Sequence, residues 1–115
     1  QVSYLAEAVN KGILVVSREK KITFANSTFR QSFALGEKTV VGLPVSTVLQ
    51  NDRIMETLEE IEGTPRDQVL EDLKIKSGEV MYKTKVVLVP IITSEVRLIE
   101  TMIVFEYIQK KMLKI

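Results

Sequence analysis

Four glutamates fall within seven residues, Glu56, Glu59, Glu60 and Glu62, and clustered carboxylates are a common means of moving a proton or holding a hard cation. Their spacing argues against both uses. Ile54, Met55, Leu58 and Ile61 interleave with them at helical intervals, so the acids fall on the water-facing side of an amphipathic helix and read as a solvated surface. Lys20-Lys21 and Lys110-Lys111 read the same way. The 115 residues include neither His nor Cys, which removes the most frequent general base, the thiolate nucleophile and zinc–thiolate chemistry together. The five glycines are isolated and make no phosphate-cradling loop. No catalytic residue and no metal site are expected in this chain.

Sixteen Lys plus Arg against fifteen Asp plus Glu leave a net charge of +1, far from the basic excess that neutralises nucleic-acid phosphates. Nucleic acid is excluded as a partner. The longest apolar run, Val86 to Ile92, is interrupted by Pro90 and is far shorter than the roughly twenty residues of a membrane-spanning helix. With 45% apolar and 27% charged residues, the composition is that of one soluble domain. A start at Gln1 without a leader suggests a piece of a longer, cytoplasmic protein, or of the cytoplasmic part of a membrane-anchored one.

The side chains left with something to offer are aromatic, aliphatic and hydroxyl-bearing. Phe24, Phe29, Phe33, Leu49, Leu58, Tyr82, Ile103 and Phe105 suit the core of a domain of this size and would line a pocket if a ligand binds, with Tyr82, Thr84 and Thr101 as its polar contacts.

The elements that would position them follow from periodicity. Tyr4, Leu5, Ala8 and Val9 mark a short amphipathic helix over residues 1–11. Ile13–Val16 and Ile22–Ala25, separated by Ser17–Lys20, form a β-hairpin. Asn26 precedes the i, i+4 pair Phe29 and Phe33 and is placed to cap a helix that runs to about Leu35 and closes at Gly36. Gly42 marks a turn, Pro44 opens a short helix to Leu49, and Asp52 caps the glutamate-bearing helix, which stops at Gly63-Thr64-Pro65. From Gln68 the period becomes two: Val69, Leu73 and Ile75 share a strand face, then Tyr82, Thr84, Val86 and Leu88, then Ile99, Thr101, Ile103, Phe105 and Tyr107. Ile108, Met112 and Ile115 return to helical spacing, so a linker helix is expected to begin at 109. The order predicts an α+β domain over 12–108, with a five-stranded antiparallel sheet covered on one face by helices.

This arrangement resembles the PAS domain family over nearly the whole chain. The resemblance is carried by Gly12-Ile13-Leu14-Val15-Val16 followed by Lys21-Ile22-Thr23-Phe24-Ala25-Asn26, by Gly42 before a short helix, and by the three closing strands. Val104-Phe105-Glu106-Tyr107-Ile108-Gln109 sits where many PAS domains have an Asp-Ile-Thr-like exit, yet it has neither that Asp nor that Thr. The insert Asn51 to Glu62 with the long strands after it looks most like the cytoplasmic PAS sensor domains of bacterial-type histidine kinases.

The resemblance implies a regulatory module that senses a small ligand or mediates dimerisation and passes the signal to a downstream kinase. The alternative is a ligand-free docking module of a transcriptional regulator or cyclic-nucleotide signalling protein. A covalent flavin adduct and a His-ligated haem are excluded, because these family members use a Cys and a His that this sequence does not contain. The apolar stripes at the two ends suggest a homodimer, with Tyr4, Leu5, Ala8, Val9 and the outer sheet face in the contact.

Overall fold

The computed structural model describes residues 10–33, 35, 39–95 and 97–111. The expected N-terminal helix, with Tyr4, Leu5, Ala8 and Val9, lies outside these residues, as does Gly36.

Strands β1 (Gly12–Ser17) and β2 (Ile22–Ala25) form the predicted hairpin. Helix α1 (Ser27–Ser32) starts at Asn26, whose side chain accepts the Phe29 N–H as an N-cap. Helix α2 (Val45–Val48) follows, with Pro44 at the cap position just before the first helical residue. Helix α3 (Asp52–Gly63) is capped by Asn51, which takes the place expected of Asp52 and accepts the Ile54 N–H. Three long strands close the domain: β3 (Gln68–Ser77), β4 (Val80–Ile92) and β5 (Leu98–Lys111).

All pairings are antiparallel and the sheet order is β2-β1-β5-β4-β3. The α+β, five-stranded prediction therefore holds. Leu14, Val16, Leu70, Ile75, Tyr82, Val86, Leu88, Ile103 and Phe105 point to one side and share a core with Phe29, Phe33, Ile54, Leu58 and Ile61 from the helical segments. Two glycines matter to this packing. A Cβ on Gly12 would sit 3.3 Å from the Phe29 backbone, so its bare backbone admits α1 close to the sheet. Gly42 turns the chain at φ +92°, as expected of the predicted turn.

Several side-chain expectations fail at breaks in the strand register. β1 pairs Val15 with Phe24 but Val16 with Ile22, so Thr23 is extra, and Phe24 faces the side opposite Ile22. In β3 the register shifts between Leu70 and Leu73, so Leu70 enters the core and Val69 is left 52% exposed. In β5 the shift at Tyr107 turns that side chain outward, 77% exposed, and Ile108 packs against the core instead. Ile99, expected on the buried face, is also exposed. Residues 109–111 remain in β5, so no helix starts at 109, and 112–115 lie outside the described residues.

Candidate functional site

Four rings meet between sheet and helices. Phe29 from α1 lies 4.8 Å from Phe33 and 5.2 Å from Phe105, centroid to centroid. Phe33 in turn lies 4.6 Å from Tyr82 and 5.3 Å edge-on from Phe105. These separations are those of favourable tilted and T-shaped pairs. The i, i+4 spacing of Phe29 and Phe33 aims both rings at the sheet, and alternation along β4 and β5 brings Tyr82 and Phe105 up to meet them.

Leu49, Leu58 and Ile103 belong to the same buried cluster. Seven of the ten sequence-predicted pocket residues therefore sit in one interior region. Thr84 and Thr101 are buried beside it in the sheet. The Thr84 hydroxyl donates to the Glu106 carbonyl at 2.8 Å, which commits it to the sheet. Phe24 is the exception: paired with Val15, it lies on the outer face.

Tyr82 is the most distinctive member. Burial pushes its phenol above the ordinary tyrosine value. Its hydroxyl bonds no other described residue, whereas every described side-chain polar atom sealed from solvent has a partner. The phenol thus offers a donor and an acceptor within an aromatic interior.

A second arrangement joins the chain entrance to its exit. The Asn26 amide oxygen accepts both the Ile13 and the Phe29 N–H at 2.9 Å, and its amide nitrogen donates to the Lys11 carbonyl at 2.8 Å. The Lys11 ammonium pairs with the Glu106 carboxylate at 2.8 Å. That hydrogen bond holds the Glu106 carboxyl below the usual carboxylate range, against an opposing effect of burial, and raises Lys11 above the usual lysine range. Sequence reasoning missed both residues. The exit has no Asp, but Glu106 supplies a carboxylate there, and its acidity was the available signal. Beside the pair, a cleft of about 340 Å³ opens between Asn10–Gly12, Thr28 and Ser32 of α1, and 105–108 of β5.

The outer face of the sheet forms a third surface. Pairing aligns Phe24, Val15, Met102 and Val89 in one cross-strand row, and Ile13, Val104, Val87 and Val69 in the next. Ile13 and Val15 are buried and Val69 is exposed, while Phe24, Val87, Val89, Met102 and Val104 are intermediate. Eight adjacent apolar side chains on the face away from the helices make a patch of the kind used for association.

No protein-family model and no curated protein sequence matches this chain. Solved structures do match. The PAS domain of nitrogen regulation protein NR(II) from Vibrio parahaemolyticus superimposes with a TM-score of 0.75 at 16% identity, covering 91% of this chain and 95% of that one. The fold is that of a PAS domain. The PAS domain of BvgS from Bordetella pertussis aligns with a TM-score of 0.72 at 13% identity, over 91% of this chain and 82% of that one. That of the histidine kinase ThkA gives 0.64 at 20% identity, over 85% and 99%. It is the fold, with its sheet order β2-β1-β5-β4-β3, that this chain shares with them. Among the described residues, no helix is long and apolar enough to cross a membrane.

Proposed function

We propose that this chain is a regulatory PAS module of a signal-transducing histidine kinase, acting as a homodimer through the outer face of its sheet. The observation that carries the reading is the pair of apolar rows, Phe24–Val15–Met102–Val89 and Ile13–Val104–Val87–Val69, on the side of the sheet away from the described helices. Tyr4, Leu5, Ala8 and Val9 extend the proposed contact. The likeness to the PAS domain of a histidine kinase supports the choice of effector. The kinase's phosphoacceptor histidine would lie outside this sequence, which has no His.

Within the same reading, a small ligand binds against the four-ring cluster and engages the Tyr82 hydroxyl, which, like that of buried Thr101, bonds no other described residue. A ligand with different affinities for two states of the dimer would shift the balance between them, which is all that signalling through such a module requires.

The close ring packing, 4.6 to 5.3 Å between centroids, favours a second reading in which the domain is a docking module of a transcriptional regulator or cyclic-nucleotide signalling protein and holds nothing. Native mass spectrometry against the denatured mass separates the two. A dimer carrying a small mass that is lost on denaturation, and lost in Tyr82→Phe, supports ligand sensing. A bare dimer supports docking, and a bare monomer at tens of micromolar overturns the sheet-face dimer.

A further inference from the structure

Two of the three long strands break at one line. Between Leu70↔Val86 and Leu73↔Thr84, β3 has Glu71 and Asp72 where β4 has only Lys85. Between Glu106↔Lys85 and Gln109↔Lys83, β5 has Tyr107 and Ile108 where β4 has only Thr84. Each bulge contains a non-glycine residue in the left-handed region, Asp72 at φ +50° and Tyr107 at φ +54°, a conformation that costs energy outside glycine. The two irregularities therefore flank β4 at consecutive residues. They leave a gap of about 130 Å³ edged by Asp72, Lys83, Lys85, Tyr107 and Gln109. Only β4 crosses this line without interruption.

Beyond the line, 73–77, 80–83 and 109–111 form a small three-stranded sheet. It is fastened to the α2–α3 junction, whereas the far ends of α2 and α3 are held by the β1–β2 hairpin: the Val45 N–H donates to the Lys20 carbonyl and the Ile22 N–H to the Leu43 carbonyl, each at 2.9 Å, and the Lys20 ammonium pairs with Glu62 at 3.5 Å. Gln50 and Lys76 exchange backbone hydrogen bonds of 2.8 and 3.3 Å. The Ser77 hydroxyl donates to the Val48 carbonyl at 3.0 Å, and the Asn51 amide donates to the Lys74 carbonyl at 2.6 Å. The distal sheet and the α2–α3 junction are thus one bonded unit. On the near side stand α1, β1, β2, the remainder of β3, β4 and β5, and the ends of α2 and α3 that the hairpin holds. The two sides meet in the interior where Phe33 touches Tyr82.

We infer that Asp72, Thr84 and Tyr107 mark a hinge across the sheet, about which the distal strands and the α2–α3 junction swing as one body and part Tyr82 from Phe33. The Thr84 hydroxyl is the latch. It is buried and donates to the Glu106 carbonyl beside the β5 bulge, holding the strands together where the ladder is irregular. Swinging at this line moves the end of β5 with the interior contact, so the exit of the chain and the aromatic cluster change together. The inference needs no ligand and stands apart from the sensory reading.

Relaxation-dispersion NMR on the wild-type domain tests it. Amides of 71–73, 84–85 and 106–108 and the ring of Phe33 are expected to show exchange with one common rate constant, while β1 and β2 stay flat. Thr84→Val removes the latch and is expected to raise the minor population about tenfold, the effect of losing one hydrogen bond. Thr84→Ser, which keeps the hydroxyl, is expected to restore it. Flat profiles at the two bulges, or different rates on their two sides, overturn the hinge. If Thr84→Val does not fold, the wild-type profiles alone decide.

Discussion

On the inner face of the sheet Phe105, Ile103, Leu88 and Tyr82 are fully covered by the helical segments; on the outer face their strand neighbours Val104, Met102, Val89 and Val87 are not. The same alternation produces both rows. What differs is side-chain type and cover: rings and long aliphatics beneath the helical segments, mostly half-buried Val on the side away from the described helices. Inner positions should therefore govern whether the domain folds, and outer positions whether it associates.

The sharpest way to break this division is Phe105→Ala, which removes a ring that touches both Phe29 and Phe33. A loss of about 4 kcal/mol is expected in urea denaturation, a large share of the stability of any domain this size. A loss below about 1 kcal/mol would mean that the cluster is loosely packed and open to a ligand.

Asn26→Ala comes next. It deletes a cap and strands the Ile13 N–H and the Lys11 carbonyl together, so about 3 kcal/mol should be lost. Asn51→Ala removes a cap of the same geometry from a more exposed site and should cost about 1 kcal/mol. Equal losses from the two variants would show that the Asn26 bonds to Ile13 and Lys11 add nothing beyond capping.

Val87→Lys probes the outer face. Unfolding free energy should change by less than about 1 kcal/mol, while the dimer dissociation constant measured by sedimentation rises by about tenfold or more, as expected when a charge enters the apolar centre of a contact. An unchanged association constant would remove the outer rows from the interface.

The smallest effect concerns the ion pair. Because the folded-state value of Glu106 is depressed, its contribution is present above the ordinary carboxylate value and fades as pH falls through the folded one. The raised value of Lys11 means that its share holds below the ordinary lysine value and is lost as pH climbs through the folded one. Glu106→Gln should flatten a shallow acid limb in the stability profile and leave mid-pH stability nearly unchanged, since the lysine is half exposed. A wild-type profile that coincides with that of the variant at every pH would show that the pair contributes no net stability.

Much of this was legible from residue order. Tyr82, Thr84, Val86 and Leu88 alternate cleanly and all four are buried, and Asn26 caps the helix that its neighbours predict. The misread strand faces share one cause. Thr23, Asp72 and Tyr107 each sit in a bulge that adds a residue to one strand, and a period of two inverts at that point. Phe24, Val69 and Ile108 were therefore assigned to the wrong face or the wrong element. No residue type announced the insertions, because Asp and Tyr hold the left-handed positions at which glycine would have been a signal. The Lys11–Glu106 pair was hidden for another reason: its members are 95 positions apart, and only the pairing of β1 with β5 brings them together.

That last pairing bears on how the chain is made. β1 sits between β2 and β5, so its second edge stays open until the final strand has been synthesised. Through most of translation Ile13 and Val15 belong to a lone hairpin, the arrangement most exposed to pairing with another nascent chain. Contacts that close across so much sequence form late and slowly. Emergence of β5 from the ribosome is then the event that completes the sheet, and the strand that ends the domain is the one that commits it to fold.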